Sequence, residues 1–124
     1  MTNLLWIAMA GAAGTLSRYG LSRAVQNAAG AGFPYGTMVV NIAGCLFFGL
    51  VWGFFEQRLP LSDETRFIIL TGFLGAFTTF STFMFETSAL IRDSQWLPAL
   101  LNIAGQTLLG LACVFLGLTL ARMM

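Results

Sequence analysis

Histidine and lysine are both absent from this chain of 124 residues. The missing histidine removes the commonest general base and metal ligand. Charge of either sign is scarce: five acids and six arginines make up 9% of the residues, against about 25% in a soluble domain. A net charge of +1 with no basic patch, base-stacking platform or phosphate loop argues against nucleic-acid binding. Cysteine occurs twice, at Cys45 and Cys113, each inside an apolar run. Two lone thiols there make neither a disulfide framework nor a zinc site; they read as reduced packing residues. No nucleophile–base pair is visible, so an enzyme is not expected. The opening Met-Thr-Asn lacks the positive start of a secretory signal, and no small-residue cleavage site ends a short apolar core. The first run reads as a retained span.

Hydrophobic residues, by contrast, reach 57%, more apolar surface than a soluble fold of this length can hide. Charge is missing from Met1 to Ser17, Tyr35 to Phe55, Phe67 to Phe85 and Trp96 to Ala121. Each run is near or above the roughly 18–20 residues that cross a bilayer as helix. The expectation is one all-α membrane domain, residues 1–124, with four transmembrane helices. Only the first is ambiguous, since its helix is free to continue past Arg18.

The arginines do not favour one orientation. Arg58, Arg66 and Arg122 fall on one side; Arg18, Arg23 and Arg92 fall on the other. The bias that normally orients a membrane protein is therefore missing. Either something else sets orientation, such as an Arg18 partly inside the membrane, or chains insert both ways and pair as an antiparallel homodimer. The second reading is preferred, because short helices with polar residues inside need a partner. Its two-fold axis would lie in the membrane plane, close to the centre of the third span near Thr78.

Polar residues recur on helical spacing within these runs. Thr37, Asn41, Gly44 and Phe48 share a face of span two, and Asn102, Gln106 and Gly110 share one of span four. Their amides either line a polar path or join helices, the latter worth only about 1 kcal/mol each. Arg18 is either an interfacial arginine beside Tyr19 or a fixed charge that gathers anions at a pore mouth. Gly30, Gly32 and Pro34 end the first helix. Ser62 or Asp63 caps the third. Glu56 to Arg66 is a solvated loop, and Trp52 and Trp96 sit near the interfaces.

The stretch "GAFTTFSTFMFE", Gly75–Glu86, mixes four hydroxyls with phenylalanines inside an apolar run. In a continuous helix Thr79, Thr82, Phe83, Glu86 and Thr87 share a face, with Phe80 at its edge; Thr78 and Ser81 point elsewhere. Gly72, Gly75 and two β-branched threonines weaken helix. A midplane break is expected to free carbonyls, tolerated only where protein, water or an ion satisfies them. Two such breaks meeting on the axis make a hard-oxygen cage for a structural Na⁺; the alternative is a glycine packing contact with no ion. Hydroxyls, together with the electropositive edges of Phe80 and Phe83, offer weak successive contacts to a dehydrating anion. The alternative for the rings is core packing.

"GTLSRYG", "GTMVVNIAGCLFFG" and above all "GFLGAFTTFSTF" resemble the Fluc (CrcB) fluoride channels of bacteria, and the resemblance covers essentially the whole chain. It implies a dual-topology homodimer with two fluoride pores in the inner (plasma) membrane, surrounded by lipid and exporting F⁻ passively. Phe80 and Phe83 match pore-lining phenylalanines and Asn41 a pore asparagine. Gly75 and Thr78 match residues whose carbonyls hold a structural Na⁺ that is not transported, and Arg18 the first motif's arginine. Thr37, Thr79, Ser81 and Thr82 complete the candidate pore, with Arg18 and Glu86 in a vestibule. The fourth span departs: Asn102, Gln106 and Gly110 stand where many relatives have a tyrosine and then serines. The alternative reading is a proton-coupled small multidrug transporter, also a four-span antiparallel dimer. It needs an embedded carboxylate, and Glu86 is the only shallow candidate.

Overall fold

The computed structural model describes residues 2–57 and 61–124. Arg58, one of the arginines counted for orientation, lies outside the described residues, as does part of the loop read as solvated. The regular elements of the described residues are all helical: α1 (Thr2–Ala29), α2 (Tyr35–Gln57), α3 (Asp63–Phe67), a π-helical segment (Ile68–Leu74), α4 (Gly75–Phe77), α5 (Phe80–Arg92) and α6 (Trp96–Met123).

The elements begin and end for local reasons. α1 does run past Arg18, and stops where Gly30 adopts a φ of +91°. Gly tolerates that left-handed conformation without a Cβ clash. Gln26 then ties the connection together, donating to the carbonyl of Phe33 at 2.9 Å and accepting from the Gly36 N–H at 3.0 Å. Of the two candidate caps of α3, Ser62 is the one used: its Oγ accepts from the Thr65 N–H at 3.3 Å.

Among the described residues, three helical stretches are long and apolar enough to cross a membrane: Tyr35–Gln57, Asp63–Arg92 and Trp96–Met123. α1 is long enough, at 28 residues, but less apolar. In α6 the usual distribution of a soluble helix is inverted. The buried positions of α6 are Ala99, Asn102, Gln106, Gly110, Gly117 and Ala121, all small or amide-bearing. Leu97, Leu100, Leu108, Leu111 and Phe115 are exposed on the outside. Lipid is as apolar as leucine, so such helices associate through close packing and polar contacts instead.

α2 packs chiefly along α6. Its Gly49 and the Gly117 of α6 interlock: a Cβ on Gly117 would collide with the Leu46 carbonyl and the Gly49 backbone, and one on Gly49 with the Val114 carbonyl. The third apolar stretch is divided between neighbours. Its π segment and α4 lie against α1, whereas α5 leans on α6. Replacing Gly117 by Ala should cost about 1–3 kcal/mol through overpacking. Gly20→Ala, with nothing within 4 Å of the added carbon, should be nearly neutral. Thermal unfolding of both in detergent checks the contrast.

Candidate functional site

The expected break in the third apolar stretch falls at Thr78–Thr79. The chain approaches it through the wide turns of the π segment, whose last N–H, from Gly75, reaches back to the Leu70 carbonyl. Such turns cluster at functional sites. α4 ends when Thr78 donates both its N–H and its hydroxyl to the Leu74 carbonyl, each at 3.1 Å. Thr78 and Thr79 are then extended, with φ/ψ of −89°/158° and −148°/109°. β-branched side chains suit that conformation. Thr79 restarts the helix as its N-cap: its Oγ1 accepts from the Thr82 N–H at 3.3 Å.

This rearrangement diverts two donors from their helical partners. In a continuous helix the Thr79 N–H would serve the Gly75 carbonyl and the Thr82 N–H the Thr78 carbonyl. Instead the first donates to Asn41 Oδ1 at 2.8 Å and the second to Thr79 Oγ1. The carbonyls of Gly75 and Thr78 thus lose their helical donors. Arg18 Nη1 approaches the Thr78 oxygen at 3.4 Å, a long contact.

Asn41 of α2 meets the break directly. Besides accepting from the Thr79 N–H, its Nδ2 donates to the Thr79 carbonyl at 3.1 Å and to Gln106 Oε1 at 2.7 Å. One amide therefore pairs with both backbone groups of Thr79, as a neighbouring strand would. Gly44, one turn along α2, makes room for it: a Cβ there would strike Thr78 Cγ2 and crowd the Phe77 ring.

Two cavities flank the break. The first, of about 490 Å³, is mostly apolar, lined by Phe48, Leu74, Phe80 and Phe83, with Gly75, Thr78, Asn41 and Gln106 as its polar or backbone contacts. Phe80 and Phe83 meet edge to face, centroids 5.9 Å apart at 79°. Phe83 is buried, whereas Phe80 is 73% exposed. The second, the polar cavity, of about 540 Å³, is surrounded mostly by polar side chains, among them Thr15, Arg18, Ser22, Arg23 and Gln26 of α1 with Thr37, Thr79 and Thr82. Arg23 also donates to the Tyr19 hydroxyl and lies over its ring. Thr79 lines both cavities.

The face drawn for a continuous helix is thereby divided. Thr82 opens on the polar cavity and Phe83 on the apolar one: as neighbours within α5 they point about 100° apart. Ser81 lines neither; its Oγ lies 3.5 Å from Thr79 Oγ1. Glu86 sits behind the polar cavity, its Oε1 accepting from the buried Thr37 hydroxyl at 2.8 Å and its buried Oε2 without a partner among the described residues. Asn102 is fully buried and lines neither cavity. Thr87, which sequence reasoning set on the face but outside the candidate pore, accepts from Asn102. The four-residue step from Asn102 to Gln106 was the available signal; what Thr87 does depends on a cross-helix contact. Among the described residues no group of three or more acidic or cysteine side chains is placed to hold a metal.

Asn41→Leu should leave the Thr79 N–H and carbonyl unpaired, at about 1–3 kcal/mol for each buried group. A fall in unfolding temperature greater than that of Asn3→Ala, whose side chain bonds only the exposed Glu64, checks it.

Relatives match this sequence over almost its full length. The model of the family described as "CrcB-like protein, Camphor Resistance (CrcB)" matches residues 5–118. A Nitrosococcus oceani protein named fluoride-specific ion channel FluC is 60% identical over 119 residues, covering 96% of this chain and 95% of the relative. A Maridesulfovibrio salexigens protein of the same name is 55% identical, covering 99% and 98%. One from Chloroflexus aurantiacus is 41% identical, covering 98% and 97%. With a match that spans nearly the whole chain and takes in both cavities and the break between them, the protein belongs to the CrcB family.

Proposed function

We propose that this protein is a fluoride-selective channel that exports F⁻ passively across the bacterial inner membrane, as an antiparallel homodimer of four-span subunits with two pores. The observation that carries the reading is the junction at Thr79, where a polar, arginine-bearing cavity abuts one walled by phenyl rings. Arg18 and Arg23 raise the local concentration of anions at the mouth. Thr37, Thr79 and Thr82 offer hydroxyl donors without a full charge that would trap the ion. Phe80 and Phe83 then present ring edges, which are electropositive. Each contact is weak and several follow in series, as conduction requires.

The reading of α1 as the fourth span rests on where its polar residues go. Thr15, Arg18, Ser22 and Gln26 recur at helical spacing and line the polar cavity. They lower the hydropathy of a helix whose 28 residues cover about 42 Å, enough to cross a bilayer. A second copy is favoured by the open apolar cavity and by Phe80, a large ring that this chain alone leaves exposed. Neutral carbonyl oxygens suit a monovalent cation, and Gly75 and Thr78, both beside the apolar cavity, are the residues that would hold a structural Na⁺. Bound there, the ion would supply fixed positive charge and replace the diverted helix donors. One chain offers two such oxygens, so the antiparallel pair would offer four.

Purified protein in sealed vesicles should release fluoride down its gradient with no pH gradient applied, and release chloride far more slowly. Equal rates for the two ions would overturn the proposal. Phe80→Ile should reduce fluoride release at least tenfold, about 1.4 kcal/mol in barrier, while leaving the dimer intact by cross-linking. Release at the unaltered rate would remove the ring edges from the mechanism.

A further inference from the structure

The amides of α2 and α6 form one continuous row. The Thr79 N–H donates to Asn41 Oδ1 at 2.8 Å, Asn41 Nδ2 to Gln106 Oε1 at 2.7 Å, and Gln106 Nε2 to Asn102 Oδ1 at 2.9 Å. Asn102 Nδ2 donates to Thr87 Oγ1 at 2.9 Å, and the Thr87 hydroxyl to the Phe83 carbonyl at 2.8 Å. The row crosses α2 and α6 and returns to α5, so it starts at the N-cap of α5 and ends one turn inside that helix.

Its direction is set by chemistry at both ends. A backbone N–H only donates and a backbone carbonyl only accepts. Reversing any single amide between them would set oxygen against oxygen or NH₂ against NH₂. Asn102 and Thr87 are the interior links, buried to 0% and 4% exposure, with no water-facing alternative. Both Asn41 amide hydrogens are committed, one to Gln106 and one to the Thr79 carbonyl. Links of this kind strengthen one another in a low-dielectric interior.

We infer that Asn102, Gln106 and Thr87 are positioning residues: they fix the orientation of the Asn41 amide, and through it the backbone of the break at Thr79. Asn102, which lines neither cavity, thus acts on the site through Gln106 and Asn41 rather than as a donor to the permeating ion. Asn102 and Thr87 line neither cavity, so substituting them probes the row without removing an ion contact.

The test uses the full chain in lipid nanodiscs and in vesicles. Thr87→Val keeps the shape and removes the hydroxyl; Asn102→Leu removes the amide; Thr87→Ser keeps the hydroxyl as the rescuing control. NMR-detected hydrogen exchange of the Thr79 amide should quicken at least tenfold in Thr87→Val and Asn102→Leu and stay near wild type in Thr87→Ser. The amides of Gly49 and Gly117, in the α2–α6 contact, should not change. Unaltered exchange at Thr79 in both variants, or equal acceleration at Gly49 and Gly117, would overturn the inference; the second result marks general destabilisation. A second arm rests on the channel reading: where Thr79 exchange rises, fluoride release should fall at least tenfold, and unaltered release would remove the consequence for permeation. Wild-type protein that releases no fluoride defeats the channel reading alone and leaves the exchange arm to decide this one.

Discussion

Backbone polar groups inside a bilayer must find partners, and in this protein the N–H and C=O of Thr79 find them in a single side chain. Asn41 accepts from the N–H and donates to the carbonyl. Without that pairing, breaking a helix in the membrane interior would strand two polar groups where water is scarce. With it, the chain holds two consecutive residues extended, redirects α5, and diverts the helical donors of the Gly75 and Thr78 carbonyls. Both cavities, the placement of Phe80 and Phe83, and the approach of Arg18 depend on that local arrangement.

The rest of the fold is shaped to bring Asn41 to the break. Gly44 lets α2 approach Thr78, and the glycine-to-backbone contacts of Gly49 and Gly117 hold α2 tightly to α6. α6 in turn supplies Gln106 and Asn102, buried where a soluble protein would bury leucine. Leucines occupy its outer surface, where lipid accepts them at no cost. Along α6 the distribution is therefore an ordered one: hydrocarbon outward, small and polar residues inward, while Leu70, Leu74, Phe77 and Phe83 fill the core beside the break.

Family membership also bears on the rival transporter reading. That reading needs a carboxylate free to exchange protons with substrate. Glu86 is the acid beyond the break in the third stretch; its Oε1 is engaged by the Thr37 hydroxyl, and its Oε2 has no partner among the described residues. The chain matches the CrcB family model over almost its full length, and its relatives are named as fluoride channels.

Much of this was written in the residues themselves. Charge-free runs of bilayer length foretold helices across a membrane, glycines and paired threonines foretold the break, and Asn102 and Gln106 one turn apart foretold a polar stripe. Those features are local, fixed by composition and helical period. Which side each hydroxyl faces was not legible. Helical spacing groups Thr82 with Phe83 on one broad face, but successive residues of α5 point about 100° apart, and the neighbouring helices place a different cavity against each. Nor could the spacing say where the amides donate, because an amide's partners are chosen by whatever α2, α5 and α6 bring within 3 Å. The sequence alone determined that polar groups would lie inside the membrane. Tertiary packing decided which of them satisfy one another and which stay open to a cavity, since hydrogen bonds between distant segments depend on distance and angle that no one-dimensional period contains.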